Sequence, residues 1–119
     1  MKMVIITEGC GKAGFGHITR CLAIGQAFEE RGVFPKYIVN GDRTILGLLK
    51  GKDSKIINWL KNRDRLIDLI DGADIALVDS YLATTGIYKM ISQHSHLLVS
   101  YDDNNRLPYP AGVVVNGAL

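Results

Sequence analysis

Short apolar runs alternate with helical patterns along the whole chain. Each run is followed by turn residues and then by apolar positions at helical spacing, as in βα units. Several runs are continuously apolar, which is typical of parallel strands that are covered by helices on both faces. The predicted strands are Met3–Thr7, Lys36–Asn40, Ser54–Asn58, Ala73–Asp79, His96–Tyr101 and Gly112–Asn116.

The helices are predicted from apolar spacing and from residues that cap or end a helix. The first is predicted over Gly16–Arg31, and Gly32 ends it. Its core face consists of Ile18, Cys21, Leu22, Gly25 and Phe28. The later helices are a short one from Asp42 or Thr44 through Leu49, one over Trp59–Ile70 with Leu60, Arg63, Ile67 and Ile70 on one side, and one capped by Thr84 or Thr85 that contains Ile87, Tyr88 and Ile91.

The order of these elements predicts a single Rossmann-like α/β domain over residues 1–119, with a parallel sheet and helices on both faces. Right-handed crossovers place helices on both faces of such a sheet, and if the strand order is 3-2-1-4-5-6, the first and fourth strands are neighbours. Ligands bind in the crevice at the carboxyl ends of such strands, where the order reverses. His94 and His96 are expected at the opposite edge, as structural or solvated residues.

Composition and charge narrow the class of protein. Hydrophobic residues make up 47% of the chain and charged residues 22%, as in a soluble globular domain. The net charge of +2 is too small to indicate nucleic-acid binding, and the basic residues between Lys50 and Arg65 are expected to be solvated. Cys10 and Cys21 have neither the number nor the spacing of a disulfide framework or a zinc site. We therefore expect a cytoplasmic protein with no membrane span, no metal and no other cofactor.

The loop between Thr7 and His17 is rich in glycine. Its backbone can approach a ligand closely and present amide donors at a helix N-terminus, which suits a sugar hydroxyl or an anion. Gly9–Gly14 also matches the dinucleotide fingerprint G-x-G-x-x-G, but the second strand ends in Asn40 where a ribose-binding acid is expected. An NAD(P)-binding oxidoreductase domain is therefore kept as an alternative.

His17 is the candidate general base. It lies in the first turn of the first helix, where the helix dipole disfavours an imidazolium and favours the neutral ring that a base requires. Asp79 and Tyr81, at the tip of the fourth strand, can orient that ring or bind substrate hydroxyls, and Asp102 or Asp103 can supply a further carboxylate. The structural alternatives are a capping role for His17 and Asp79 and a half-buried position at the sheet edge for Tyr81.

A family signature lies at Gly14–Leu22, which reads G-F-G-H-I-T-R-C-L. The segment resembles the UDP-sugar hydrolases of pseudaminic acid biosynthesis and the related spore coat polysaccharide biosynthesis proteins, whose signature is G-x-G-H-x-x-R. Val78–Tyr81 resembles the family's strand-end D-x-Y, Ser100–Asp103 its aromatic-D-D, and Val115–Gly117 its strand-end asparagine. The order and spacing of these segments agree along nearly the whole chain.

The resemblance implies the N-terminal half of a two-lobed GT-B architecture, in which this lobe contacts the sugar and a C-terminal lobe grips the uridine diphosphate. That lobe, or a partner chain carrying it, is expected to cover the end near Leu119 and to be needed for activity. His17 would activate water for inverting attack on the anomeric carbon, Tyr81 would position the sugar and Asp79 would hold the histidine. The substrate-binding residues would be Gly14, Phe15, Gly16, Arg20, Asp102, Asp103 and Asn116.

The expected substrate is a UDP-linked sugar used in surface polysaccharide or nonulosonic acid biosynthesis. Two further alternatives remain open beside the dinucleotide one. The first is a related inverting glycosyltransferase lobe, in which an acceptor hydroxyl replaces water. The second is a non-catalytic module that binds a sugar or a nucleotide.

Overall fold

The computed structural model describes residues 1–9, 14–101, 109–110 and 112–115. Within these residues, six strands form one parallel sheet in the order β3-β2-β1-β4-β5-β6, which confirms the predicted topology and the Rossmann-like α/β fold. Asp102, Asp103 and Asn116 lie outside the described residues. The strands are β1 (Met3–Gly9), β2 (Lys36–Gly41), β3 (Ser54–Ile56), β4 (Ala73–Asp79), β5 (Ser95–Tyr101) and β6 (Val113–Val115). The helices are α1 (Gly16–Glu29), α2 (Arg63–Ile70) and α3 (Thr85–His94).

Apolar side chains cover both faces of the sheet because successive residues of a strand point in opposite directions. Val4 and Ile6 of β1 pack with residues of α2 and α3. Met3 and Ile5 pack on the other face, with residues of α1. Each fully buried side chain of this size contributes about 1.5–3 kcal/mol of transfer free energy. None of the helices in the described part of the chain has the length and apolar character needed to cross a bilayer.

Helix α1 packs tightly on β2 through a glycine. A Cβ atom at Gly25 would lie 1.8 Å from the Tyr37 hydroxyl oxygen, so no larger residue fits there without a shift. The helix ends at Glu29, before the predicted end at Arg31, and Gly32 follows it with a φ of +84°. The left-handed backbone of Gly32 is the helix-ending conformation that the sequence predicts.

The predicted helix from Asp42 through Leu49 is wrong, because only a 3₁₀ turn over Arg43–Ile45 forms there. The Asp42 side chain caps this turn by accepting a hydrogen bond from the backbone N–H of Thr44. Gly47 then lies within the stretch that would have to continue as a helix, and glycine disfavours helix interiors by roughly 1 kcal/mol relative to alanine.

The predicted start of the next helix at Trp59 is also wrong, because α2 begins at Arg63. Trp59 is fully buried, and its indole N–H donates to the backbone oxygen of Thr7 at 2.8 Å. Residues 59–61 form a turn, and this contact ties its first residue to the end of β1. Arg63 is exposed, and the buried residues of α2 are Leu66 and Ile70.

Strands β1 and β2 extend further than predicted. Glu8 pairs with Asn40, and Gly9 pairs with Gly41. The backbones approach closely here, because a Cβ atom on Gly41 would lie 2.2 Å from the Gly9 oxygen. Strand β4 has its predicted bounds, whereas β3 and β6 are shorter than predicted. The longer β1 places the carboxylate of Glu8 at the end of the sheet where ligands bind.

Candidate functional site

A cleft of about 430 Å³ lies at the carboxyl ends of β1, β2 and β4. Strand β1 pairs with β2 on one side and with β4 on the other, so the cleft lies where the strand order reverses. The topology therefore brings Gly14 and His17, at the start of α1, close to Tyr81 after the tip of β4, as the sequence predicts. The described residues that line the cleft are Glu8, Gly9, Gly14, His17, Asn40, Gly41, Asp42, Tyr81 and Leu82.

His17 and Asp79 form a hydrogen-bonded pair beside this cleft. The Nδ1 atom of His17 lies 2.7 Å from Oδ1 of Asp79. Because an ionised carboxylate only accepts hydrogen bonds, Nδ1 carries the proton of a neutral ring and Nε2 becomes the acceptor. The pair thus has the arrangement in which a carboxylate orients a histidine base.

The Asp79 carboxylate is buried, and it accepts several hydrogen bonds from side chains of α1. Its side chain is 1% exposed, and Arg20 donates from Nε to Oδ2 at 2.7 Å and from Nη2 to Oδ1 at 2.6 Å. Burial by itself would raise the pKa of Asp79, but the hydrogen bonds from His17 and Arg20 and the positive charge of Arg20 outweigh it and lower that pKa. Asp79 is therefore ionised at neutral pH and remains an acceptor for His17.

Arg20 contacts Asp79 and Tyr101 in this structure. Its guanidinium carbon lies 3.9 Å from the centre of the Tyr101 ring, which is a cation–π geometry. Arg20 is not among the described residues that line the cleft. Its predicted contact with substrate stays a prediction. In this structure its guanidinium contacts the Asp79 carboxylate and the Tyr101 ring, and its Nη2 lies 3.4 Å from Nδ1 of His17.

Tyr81 lies against His17 on the open side of the cleft. The two ring centres are 4.5 Å apart and the planes meet at 82°, an edge-to-face contact. Tyr81 is 48% exposed, which leaves much of the residue accessible to a ligand. Topology thus brings His17, Asp79 and Tyr81 together, as their positions at neighbouring strand ends predict.

The predicted loop residues are placed in different ways. Gly14 lines the cleft and has a φ of +90°, a conformation that favours glycine. Phe15 precedes α1 and is 37% exposed, and Gly16 is exposed at the first position of the helix. Neither of these two residues is among the described lining residues.

Glu8 is one of several lining residues, with Asn40, Asp42 and Leu82, that the sequence analysis did not predict as site residues. It is 8% exposed, and its Oε2 accepts a hydrogen bond from the backbone N–H of Tyr81 at 3.0 Å. The Ser80 hydroxyl donates to its Oε1. An acidic residue directly after an apolar strand of a parallel sheet is a signal that could have identified it.

The remaining titratable candidates lie elsewhere. His94 and His96 line a separate polar hollow of about 260 Å³ at the start of β5, as expected for the opposite edge. Burial, together with the charge of Asp79, raises the pKa of the Cys21 thiol far above its ordinary value, so this thiol is unreactive. Within the described ranges, no cluster of histidine, cysteine or acidic side chains could hold a metal ion.

The site has to be interpreted from its own geometry. The signature at Gly14–Leu22 and the strand-end segments still carry the resemblance to the UDP-sugar hydrolases, which stays a prediction. The chain matches no family model, no curated protein and no solved structure.

Proposed function

We propose that the chain is the sugar-side lobe of an inverting nucleotide-sugar hydrolase, with His17 as the general base. The observation that carries the proposal is the 2.7 Å contact between His17 Nδ1 and the buried carboxylate of Asp79, at the edge of a ligand-sized cleft. Such a contact fixes the tautomer of a histidine and stabilises the imidazolium that forms when the ring accepts a proton. The resemblance at Gly14–Leu22 supports the same chemistry.

In the proposed reaction, a water molecule donates a proton to His17 Nε2 as its oxygen attacks the anomeric carbon. The new C–O bond forms on the face opposite the leaving group, and the bond to the diphosphate oxygen breaks with its electron pair. The configuration at the anomeric carbon therefore inverts. A diphosphate is a good leaving group, so little acid catalysis is required. Asp79 stays ionised and stabilises the imidazolium until the proton passes to solvent.

The cleft is suited in size and chemistry to a sugar. Small-molecule sites have volumes of about 300–1,000 Å³, and the volume of about 430 Å³ lies within this range. Tyr81 and Leu82 offer apolar surface for the C–H groups of a sugar ring, and Asn40 offers an amide for its hydroxyls. The proposal assigns the diphosphate to a C-terminal lobe, and it places the reaction in cytoplasmic synthesis of surface polysaccharides or nonulosonic acids.

Binding is tested by NMR titration of the labelled chain with a panel of UDP-hexoses and UDP-N-acetylhexosamines. We expect saturable shifts of the His17 and Tyr81 ring signals, because both side chains line the cleft. The His96 ring is the internal control, since it lies at the other edge of the sheet. If none of the UDP-sugars shifted His17, or if His96 shifted equally, the proposed site would be excluded.

Catalysis is tested with the nucleotide-binding lobe supplied, by measuring the release of UDP. We expect His17→Gln to lower the rate by about 10²–10⁴-fold, because this is the usual contribution of a general base. His96→Gln is the matched control and should leave the rate unchanged, since His96 is exposed and distant from the cleft. Equal rates for the two variants would remove the base assignment, and binding without any turnover would favour the non-catalytic module.

One observation favours the dinucleotide alternative. Asp42 lines the cleft at the end of β2, close to the place of a ribose-binding acid in dinucleotide-binding folds. Its Oδ1 is occupied in capping Thr44, which argues against that role. Titration of the same labelled chain with NADH and NADPH distinguishes the two proposals. The dinucleotide alternative predicts a saturable shift of the Asp42 signals with these ligands, and the hydrolase proposal predicts none with them.

A further inference from the structure

The Glu8 carboxylate is a buried ionisable group that the proposed reaction does not use. It occupies the position before last in β1 and lines the cleft beside His17. A carboxylate at a site this buried is costly unless its oxygens receive hydrogen bonds. The groups that donate hydrogen bonds to Glu8 indicate its role in the site.

Both donors belong to the turn that follows β4. The hydroxyl oxygen of Ser80 accepts hydrogen bonds from the backbone N–H groups of Leu82 and Ala83, each at 3.0 Å. Since those bonds occupy the lone pairs of this oxygen, the Ser80 hydrogen is donated outward, to Oε1 of Glu8. The backbone N–H of Tyr81 donates to Oε2 at 3.0 Å. Glu8 therefore accepts on both oxygens at once.

These bonds link β1 to the turn that carries Tyr81, across 73 residues of sequence. Tyr81 in turn contacts His17 edge to face at 4.5 Å. Glu8 thus binds the backbone of the residue whose ring contacts His17, and it has no hydrogen bond to either ring among those that the structure describes. We propose that Glu8 is a positioning residue that holds Tyr81 against His17 at the cleft. Its use in catalysis rests on the proposed function, but the ring contact does not.

A glutamine at this position cannot replace the carboxylate. Its amide has one accepting oxygen, whereas Ser80 and Tyr81 both present donors. One of these donors would then face the NH₂ group of the amide, which repels it. Glu8→Gln preserves the size of the side chain and removes only the second acceptor.

The test measures the contact between the His17 and Tyr81 rings by NMR in the ligand-free chain. We expect a nuclear Overhauser effect between the two rings and ring-current-shifted signals. In Glu8→Gln, the cross-peak should lose at least half of its intensity and the shifted signals should move toward their ordinary positions. Glu29→Gln is the matched control. Glu29 is a partly buried carboxylate that pairs with Lys52 and is not among the described residues that line the cleft.

An unchanged ring contact in a folded Glu8→Gln chain would overturn the proposal, as would an equal loss in Glu29→Gln. If Glu8→Gln does not fold, Ser80→Ala carries the test, because it removes the hydroxyl that Glu8 accepts. An unchanged contact in Ser80→Ala would then be the overturning result. Failure of the proposed function appears separately, as absence of UDP-sugar binding to the wild-type chain.

Discussion

At the scale of single residues, the site depends on the donors that converge on Asp79. Two of its neighbours, His17 and Arg20, reach it from successive turns of α1, and both donate to its carboxylate. The Asp79 backbone oxygen also accepts a hydrogen bond from the Thr7 hydroxyl at 2.8 Å. Removal of a single partner from such a buried group leaves charges and donors unsatisfied. The contribution of Asp79 to the free energy of unfolding is therefore large enough to measure.

We predict that Asp79→Asn lowers the free energy of unfolding at pH 7 by about 2–3 kcal/mol. Removing one partner of a fully buried ion pair costs about 3–5 kcal/mol of stability. The loss expected here is smaller, because the Arg20 side chain is 27% exposed. The pKa of Asp79 is lower in the folded state than in the unfolded state, so its contribution is fully present above the unfolded value near 4. The contribution is lost as the pH falls through the folded pKa.

Urea unfolding from pH 7 down to pH 3 measures this difference. The gap between the wild type and Asp79→Asn should narrow below about pH 4. Asp68→Asn is the control, because Asp68 is exposed on α2, and it should stay close to the wild type throughout. A gap that widened on acidification would contradict the ionised, hydrogen-bonded state of Asp79.

Sequence reasoning predicted the main residues of the site but not every residue that lines the cleft, and Glu8 is an example. His17, Asp79 and Tyr81 could be placed together because each follows from a strand end and a strand order. Glu8 directly follows the predicted end of β1, so its place at this edge could have been predicted, but its burial there depends on two extra residues of β1 that pair with β2. Pairing between strands is a tertiary property, and local apolar patterns do not specify where it stops.

Among the helices and strands, the predicted bounds are wrong where tertiary contacts override local sequence patterns. Thr84 caps α3 through a hydrogen bond from the backbone N–H of Ile87, as its position before an apolar helix face predicts. The segment at Trp59 also has helical spacing, but its indole N–H is drawn to Thr7. A long-range hydrogen bond of this kind has no signal in local sequence, so the start of α2 could not be predicted.

A pair of aromatic substitutions tests the packing of these elements. Trp59→Phe removes a buried donor that satisfies the Thr7 oxygen, and it should lower the free energy of unfolding by about 2 kcal/mol or more. The control is Tyr37→Phe, because the buried hydroxyl of Tyr37 has no hydrogen-bond partner among the described residues. This change should be neutral or stabilising. Urea denaturation measures both, and equal losses would contradict the account of the Trp59 turn.

At the scale of the whole molecule, the fold brings distant segments to one edge of a sheet. His17 and Asp79 are 62 positions apart in sequence, and they meet because β4 inserts beside β1 in the sheet. This strand order is one of the few that doubly wound folds adopt, so it could be assumed from the order of elements, and the structure has it. The exact hydrogen bonds at the edge depend on side-chain packing, which sequence patterns do not give.

The tautomer of the His17 ring decides whether this residue can act as the base, and long-range ¹H–¹⁵N NMR of the labelled chain at pH 8 measures it directly. The signals are assigned by their loss in His17→Gln. Because Nδ1 lies 2.7 Å from the Asp79 carboxylate, we predict a proton on Nδ1 and an unprotonated Nε2. A ring protonated on Nε2, or one that exchanges between tautomers as free histidine does, would contradict the account.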